Sequence, residues 1–302
     1  MRRCCCNSGH WFAVFAAVAL AGCDRQVNLG PVADIQTAKA MRTALTAGST
    51  AEGPAETAAV TGTGWATLRG QFVYDGTPPA MPPYNVNKEQ DICAPSGQAP
   101  PQEFLVVDSG SGGIQNVAIF LRDASRVHES AEPKAEPVVF DQKVCVFLTH
   151  VLAVHVGQPI EIKNSDPTGH NTKIEGRANT FNQTIPAGGS ISFTPQREEA
   201  APAPITCSIH PWMSAFMLPR KNGYFAVSDG EGRFEIANVP AGEPIEFQLW
   251  HEIGAAPGEG LVGATPDAPD LKWTNRGRVT VTLQPDEVKE IKVIVPPSAF
   301  RG

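Results

Sequence analysis

The sequence predicts an all-β protein built from two β-sandwiches. Short apolar or alternating stretches recur from Trp65 to Val295, separated by Pro, Gly, Asn and Asp. The chain carries 28 Gly and 27 Pro, a composition that favours turns and short strands over long helices. Its 302 residues correspond to about two domains at the usual ~150 residues each, and a 42% hydrophobic content is enough to fill two cores.

Taken in order, Ala66 to Tyr74 reads as a strand ending at the turn Asp75-Gly76, and residues 77–101 are Pro-rich and irregular. Val117 to Leu121 and Val138 to Leu148 read as strands flanking a polar loop over 122–137. Val151 to Val156, Ile160 to Lys163, Ile191 to Thr194 and Ala215 to Leu218 complete a first antiparallel sandwich. A second unit is expected from Tyr224 to Val227, Phe234 to Ile236, Ile245 to Trp250, Val279 to Leu283 and Ile291 to Val295. Asp229-Gly230-Glu231-Gly232 supplies a tight turn between the first two of these. No internal repeat is evident.

The amino terminus reads as an export signal. Arg2 and Arg3 precede an apolar run from Trp11 to Leu20, which is too short to span a bilayer. Leu20-Ala21-Gly22-Cys23 follows and resembles the lipobox of bacterial lipoprotein signal peptides, which implies a leader over 1–22 and lipidation of Cys23. The alternative is an ordinary secretory signal cleaved nearby. Loss of Arg2 and Arg3 takes the net charge from −7 to −9. Such a chain repels phosphate backbones, so nucleic acid is not an expected partner. Residues 23–64 read as a flexible tether with a short helix over Ala33 to Leu45. The expected product is a lipoprotein facing the periplasm or the cell surface.

The chemistry concentrates in Cys207-Ser208-Ile209-His210-Pro211-Trp212-Met213, where three potential metal ligands fall in one loop. A fourth, His170, follows a predicted strand upstream in Asn164-Ser165-Asp166-Pro167-Thr168-Gly169-His170-Asn171. Two imidazoles and a thiolate in a trigonal plane, with a weak axial thioether, suit copper cycling between Cu(I) and Cu(II). Zinc structural sites more often pair Cys or His and rarely use Met.

This constellation resembles the cupredoxins, and within them the amicyanins, whose ligand loop has the same Cys-x-x-His-Pro-x-Met form. The resemblance covers residues 138 to about 220. It implies a Greek-key sandwich holding one type 1 (blue) copper ion through His170, Cys207, His210 and Met213. It also implies that Asn171 ties the two ligand loops together near Ser208. Gly169 departs from the Pro of amicyanin and plastocyanin and matches azurin, in which the glycine carbonyl approaches copper. Residues Asp229 to Glu252 resemble carboxypeptidase-regulatory-like domains, which are transthyretin-like β-sandwiches without catalytic residues of their own.

The expected organisation is a β segment over 65–137 packed on a copper domain over 138–222, followed by a regulatory-like sandwich over 223–302. The expected function is one-electron transfer between extracytoplasmic redox partners, with Pro211 and Trp212 forming an apolar docking collar around an exposed His210 edge. Copper delivery, or an interaction protein with structural copper, are the alternatives. No Ser-His-Asp order, phosphate loop or paired carboxylates stand out, and seven His are too few for a multicopper enzyme, so no catalytic activity is expected. His150 and His155 read as structural, and His251 as a strand-end residue. By elimination, Cys93 and Cys145 are left to form a disulfide in an oxidising compartment, the alternative being a buried free Cys145 with an exposed Cys93.

Overall fold

A computed structural model describes residues 62–301 and the exposed helical positions Gln36, Thr37, Lys39, Ala40 and Thr43. The expected leader, the lipidation site Cys23 and most of the tether lie outside the described residues. The described strands all belong to one compact unit that spans Val60 to Gly302.

This unit is almost entirely β. In chain order its strands are β1 (Trp65–Tyr74), β2 (Ala118–Leu121), β3 (Val138–Lys143), β4 (Val146–Phe147), β5 (Val151–His155) and β6 (Ile160–Asn164). There follow β7 (His170–Glu175), β8 (Thr180–Ile185), β9 (Ser190–Phe193), β10 (Ala203–Thr206), β11 (Ser214–Arg220) and β12 (Phe225–Val227). The last are β13 (Arg233–Pro240), β14 (Pro244–Trp250), β15 (Lys272–Trp273), β16 (Arg278–Thr282) and β17 (Val288–Val295).

Two sandwiches result. In one, the sheet β4-β3-β6-β9 faces the sheet β5-β11-β10-β7-β8. Their shared core includes Phe140, Ile160, Ile162, Ile174, Ile205 and Met217. In the other, β13-β1-β17 faces β12-β2-β14-β16-β15 across Leu68, Phe72, Ile119, Phe247, Val279 and Val293. Period-2 patterning dictates which side chains turn inward: β6 buries Ile160, Ile162 and Asn164, and β13 buries Phe234 and Ile236 between exposed Arg233, Glu235 and Ala237.

The expected placement of residues 65–137 on the copper sandwich is corrected by the strand pairing. β1 runs antiparallel to β13 and parallel to β17, and β2 pairs with β12 and β14. Both strands therefore belong to the carboxy-terminal sandwich. The physical reason is visible in β2, whose four residues are all buried. Ile119 and Leu121 point into the carboxy-terminal core, while Ala118 and Phe120 join Val151, Leu218 and Trp250 in a smaller cluster between the sandwiches. A strand covered on both faces must lie inside the assembly. Within the same stretch, Val86, Cys93 and Ala94 pack instead into the core of the first sandwich.

The stretch expected as one strand over Val138 to Leu148 is a hairpin. Val144 and Cys145 form its two-residue turn, with φ of 53° and 52°. Positive φ is costly for a β-branched residue, and such turns ordinarily use Asn-Gly. Here the Asp166 carboxylate accepts both turn amides, from Val144 at 2.7 Å and from Cys145 at 2.8 Å, and holds the turn in place.

Candidate metal centre

The centre forms at one end of the first sandwich, where the start of β7 meets the loop joining β10 to β11. The two strands are neighbours across β10, which pairs antiparallel with both. That pairing brings His170, the first residue of β7, beside the Cys207–Met213 loop. The loop is closed by backbone hydrogen bonds from Cys207 N–H to the Met213 carbonyl (3.4 Å) and from Met213 N–H to the His210 carbonyl (3.0 Å). Ligand atoms of His170, Cys207 and His210 lie within 4.8 Å of one another, and all three residues are buried.

The two imidazoles present the same nitrogen inward. His170 Nδ1 and His210 Nδ1 are 2.9 Å apart, and the Cys207 sulfur is 3.9 Å from His210 Nδ1. Each outer nitrogen is held by a carboxylate: His170 Nε2 by Asp166 Oδ2 at 2.7 Å, and His210 Nε2 by Glu89 Oε2 at 2.7 Å. A carboxylate behind a histidine fixes its tautomer and ring orientation and raises its basicity as a ligand. Each carboxylate is itself anchored. Asp166 grips the Val144–Cys145 turn, and Glu89 accepts from Thr168 Oγ1 at 2.8 Å.

The sulfur is surrounded as a thiolate would be. Asn171 N–H points at Cys207 Sγ from 3.3 Å and His210 N–H from 3.4 Å. Burial raises the thiol pKa, but the hydrogen bonds from His170 and from the Asn171, His210 and Ile209 amides outweigh it, so the net direction is down. Burial depresses His170, yet Asp166 and the Cys207 sulfur overcome this and raise it to about 9. His210 moves the other way: burial and the neighbouring His170 lower it against the pull of Glu89. The pair thus favours a proton on His170 over His210, and a cation held by these donors would have to displace it. A soft sulfur with two inward imidazole nitrogens fits copper.

The other expected residues fall nearby. Met213 is buried in the same apolar cluster as Cys207. Asn171 Oδ1 accepts from Ser208 N–H at 3.2 Å, and its amide donates to Asn182 Oδ1 and the Gln183 carbonyl, which links the two ligand segments to β8. Gly169 directly precedes β7 and is half-buried; a Cβ there would meet only the Ile185 carbonyl at 3.8 Å. Pro211 is exposed. Trp212 is half-buried, its ring 5.2 Å from that of His210 and its indole N–H donating to the Cys145 carbonyl at 3.1 Å. Cys93 and Cys145 are joined in a disulfide with a Cα–Cα distance of 5.0 Å.

The expectation of an exposed His210 edge is corrected: the residue has no accessible surface. The segment that precedes Cys93 covers it, through Glu89 on Nε2 and through Lys88, whose ammonium donates to the Ile209 carbonyl at 3.2 Å. Sequence reasoning missed Glu89 and Asp166, the two residues that orient the imidazoles. Asp166 stands four residues before His170 and was within reach of a local search; Glu89 is 121 residues from His210 and carries no local signal.

His150, His155 and His251 do not join the centre. His150 Nε2 pairs with Glu252 at 2.5 Å, His155 packs edge-on against Phe225, and His251 packs edge-on against Phe300.

No family model matches the chain, and no curated protein matches it. Solved structures do resemble part of it. A variant of amicyanin in its reduced Cu(I) form is 19% identical over 34% of this chain and 98% of its own, with a TM-score of 0.26. Amicyanin from Paracoccus versutus is 18% identical over 34% of this chain and 97% of its own, with a TM-score of 0.25. A copper-containing nitrite reductase from Thermus scotoductus SA-01 is 21% identical over 28% of this chain and 22% of its own, with a TM-score of 0.26. At these values the reading of the centre rests on its own geometry.

Proposed function

We propose that the protein binds one copper ion through His170, Cys207, His210 and Met213 and passes single electrons to and from protein partners outside the cytoplasm. The observation that carries this reading is the convergence of two imidazole Nδ1 atoms and one buried sulfur, with each imidazole braced from behind by a carboxylate. Copper held there would supply one-electron chemistry between Cu(I) and Cu(II).

The chain's own part is to hold the donors still. Asp166 and Glu89 lock the rings, Asn171 joins the two ligand segments, and the backbone amides of Asn171 and His210 stabilise charge on sulfur. Burial of all three donors would keep water away from an ion held there. In this reading the protein is not an enzyme. The 138–222 sandwich is cupredoxin-like, and 223–302 supplies most of a regulatory-like one. Cys23 carries the lipid that anchors the head to a membrane.

A second reading, copper storage or delivery, is favoured by one feature: the cover that Glu89 places over His210, which would slow exchange with partners. Visible absorption and electron paramagnetic resonance of copper-loaded protein test the first reading. An intense thiolate-to-copper band in the red region is expected, and its absence with stoichiometric copper bound would overturn the type 1 assignment. Slow electron self-exchange in a protein that shows the band would select the storage reading.

A further inference from the structure

Away from the metal centre, a groove of about 660 Å³ runs between the two five-stranded sheets, a size that suits a small organic ligand. Its wall carries five guanidinium groups. Those of Arg177 and Arg276 are exposed and make no side-chain hydrogen bond or ion pair among the described residues. Those of Arg122 and Arg278 both lean on one carboxylate, Glu246, at 3.4 and 3.5 Å. The fifth, Arg220, is only 5% exposed and stacks 4.9 Å above the Phe120 ring.

The carboxylates that line the same groove are largely committed elsewhere. Glu199 accepts the amides of residues 177–179, Glu175 pairs with Lys173, and Glu259 faces Arg301 at 3.5 Å. Asp123 is the remaining groove-lining carboxylate, and Arg177 and Arg276 have no carboxylate partner among the described residues.

Two buried donors in the groove wall lack acceptors. Arg220 spends its terminal nitrogens on the carbonyls of Leu121, Arg122 and Glu199 and lies 3.5 Å from the Glu198 carboxylate, but its Nε has no partner. Trp250 is 2% exposed, and its indole N–H also has none. Both groups can only donate, and a buried donor without an acceptor costs roughly 1–3 kcal/mol, so the wall is short of acceptor atoms. Guanidinium forks match the planar oxygens of carboxylates and phosphates. The aromatic surfaces of Phe120 and Trp250 add an apolar floor.

The geometry points to a binding site for a small organic oxyanion, a carboxylate or a phosphate ester with an apolar body, held by Arg177 and Arg276 against the Arg220–Trp250 wall. Trp250 also meets Phe216 of β11 edge-on at 4.9 Å, so an occupant would touch the strand that begins next to Met213.

The test uses the mature full chain without copper, so its result is independent of the metal assignment. Citrate, phenyl phosphate and inorganic phosphate are titrated by calorimetry and by tryptophan emission at constant ionic strength, with benzyl alcohol and chloride as controls. Binding of citrate or phenyl phosphate is expected, weakened at least tenfold in Arg177→Gln/Arg276→Gln. That variant alters exposed side chains in no ion pair and is expected to keep the wild-type melting temperature. Trp250→Phe is expected to remove the emission change. Citrate alone assigns carboxylates, and phenyl phosphate alone assigns phosphate esters. No binding by any of the three anions, or equal affinity in wild type and double variant, would overturn the site.

Discussion

Glu89 Oε2 lies 2.7 Å from His210 Nε2 and, with its flanking segment, removes that imidazole from solvent. Glu89 has φ of 46°, a left-handed conformation that few non-glycine residues adopt, and it immediately precedes the one-turn helix Gln90–Cys93. The disulfide to Cys145 ties that helix to the same hairpin turn that Asp166 holds. One covalent bond thus links the cover over one histidine to the brace behind the other.

Replacing Glu89 by Ala is expected to open the His210 edge. Electron exchange with a small reagent should become faster, while copper affinity should fall about 10–100-fold, the usual effect of losing a partner behind a ligating histidine. Asp166→Ala should weaken copper to a similar degree and also lower stability, because two turn amides lose their acceptor. Chelator competition and stopped-flow oxidation measure these quantities. Unchanged exchange rates in Glu89→Ala would show that the cover does not limit access.

Cys207→Ser is expected to abolish the charge-transfer band while the sandwich still folds, since Cys207 is the free cysteine among the described residues. Met213→Leu should keep copper and raise the reduction potential, because a weak axial donor is lost. Absorption spectra and voltammetry check both; a retained band in Cys207→Ser would exclude sulfur ligation at this position.

Much of this centre was legible in the sequence, because its loop is short and its spacing specific. The segment Cys207 to Met213 could be read as one ligand loop, and His170-Asn171 as its upstream partner, without coordinates. Besides the two-residue β15, three strands escaped notice for a physical reason. β8 is an edge strand with polar residues on most positions, and β7 and β10 mix Asn, Thr, Lys and Pro with few apolar side chains, so no alternating pattern marks them. The placement of β1 and β2 was not legible because pairing partners more than 100 residues away leave no trace in local periodicity. Glu89 was hidden for the same reason.

At the amino terminus, lipidation of Cys23 predicts that Cys23→Ala moves the protein from the membrane to a soluble fraction. One acyl chain binds membranes only marginally, so stable anchoring needs the several chains of a bacterial lipoprotein. Fractionation with mass spectrometry of the mature terminus decides it: soluble wild-type protein beginning beyond residue 23 would refute the anchor.

The Cys93–Cys145 disulfide closes a separation of 52 residues, for which the chain-entropy model gives ~4 kcal/mol of stabilisation. The Cys93→Ala/Cys145→Ala variant should lose stability on that scale in denaturant titrations. It should also bind copper less tightly, because the helix carrying the Glu89 cover is no longer pinned. Thiol titration of unfolded, non-reduced apoprotein should find one reactive thiol, from Cys207, with Cys23 lipidated; three would show that the bridge is absent.

The carboxy-terminal sandwich should make the protein acid-sensitive through His251. This residue is 2% exposed, packs edge-on against Phe300 at 5.2 Å, and lies near His150, whose Nε2 pairs with Glu252. Burial first, and then the charge of His150, push its pKa down to about 3 against a weaker opposing hydrogen bond with the Gln115 backbone. An unfolded histidine titrates near 6.5. Between those values the unfolded chain binds a proton that the folded chain refuses, so stability falls as pH drops from about 6.5 towards 3. The slope is at most ~1.4 kcal/mol per pH unit, on the order of 5 kcal/mol across the whole window. His251→Gln removes the titrating group and should flatten this part of the profile, whatever carboxylates elsewhere contribute. Denaturant titrations of both proteins at pH 7 and pH 4.5 isolate the difference. A stability loss between those pH values that is the same in both proteins would show that His251 is not the group responsible.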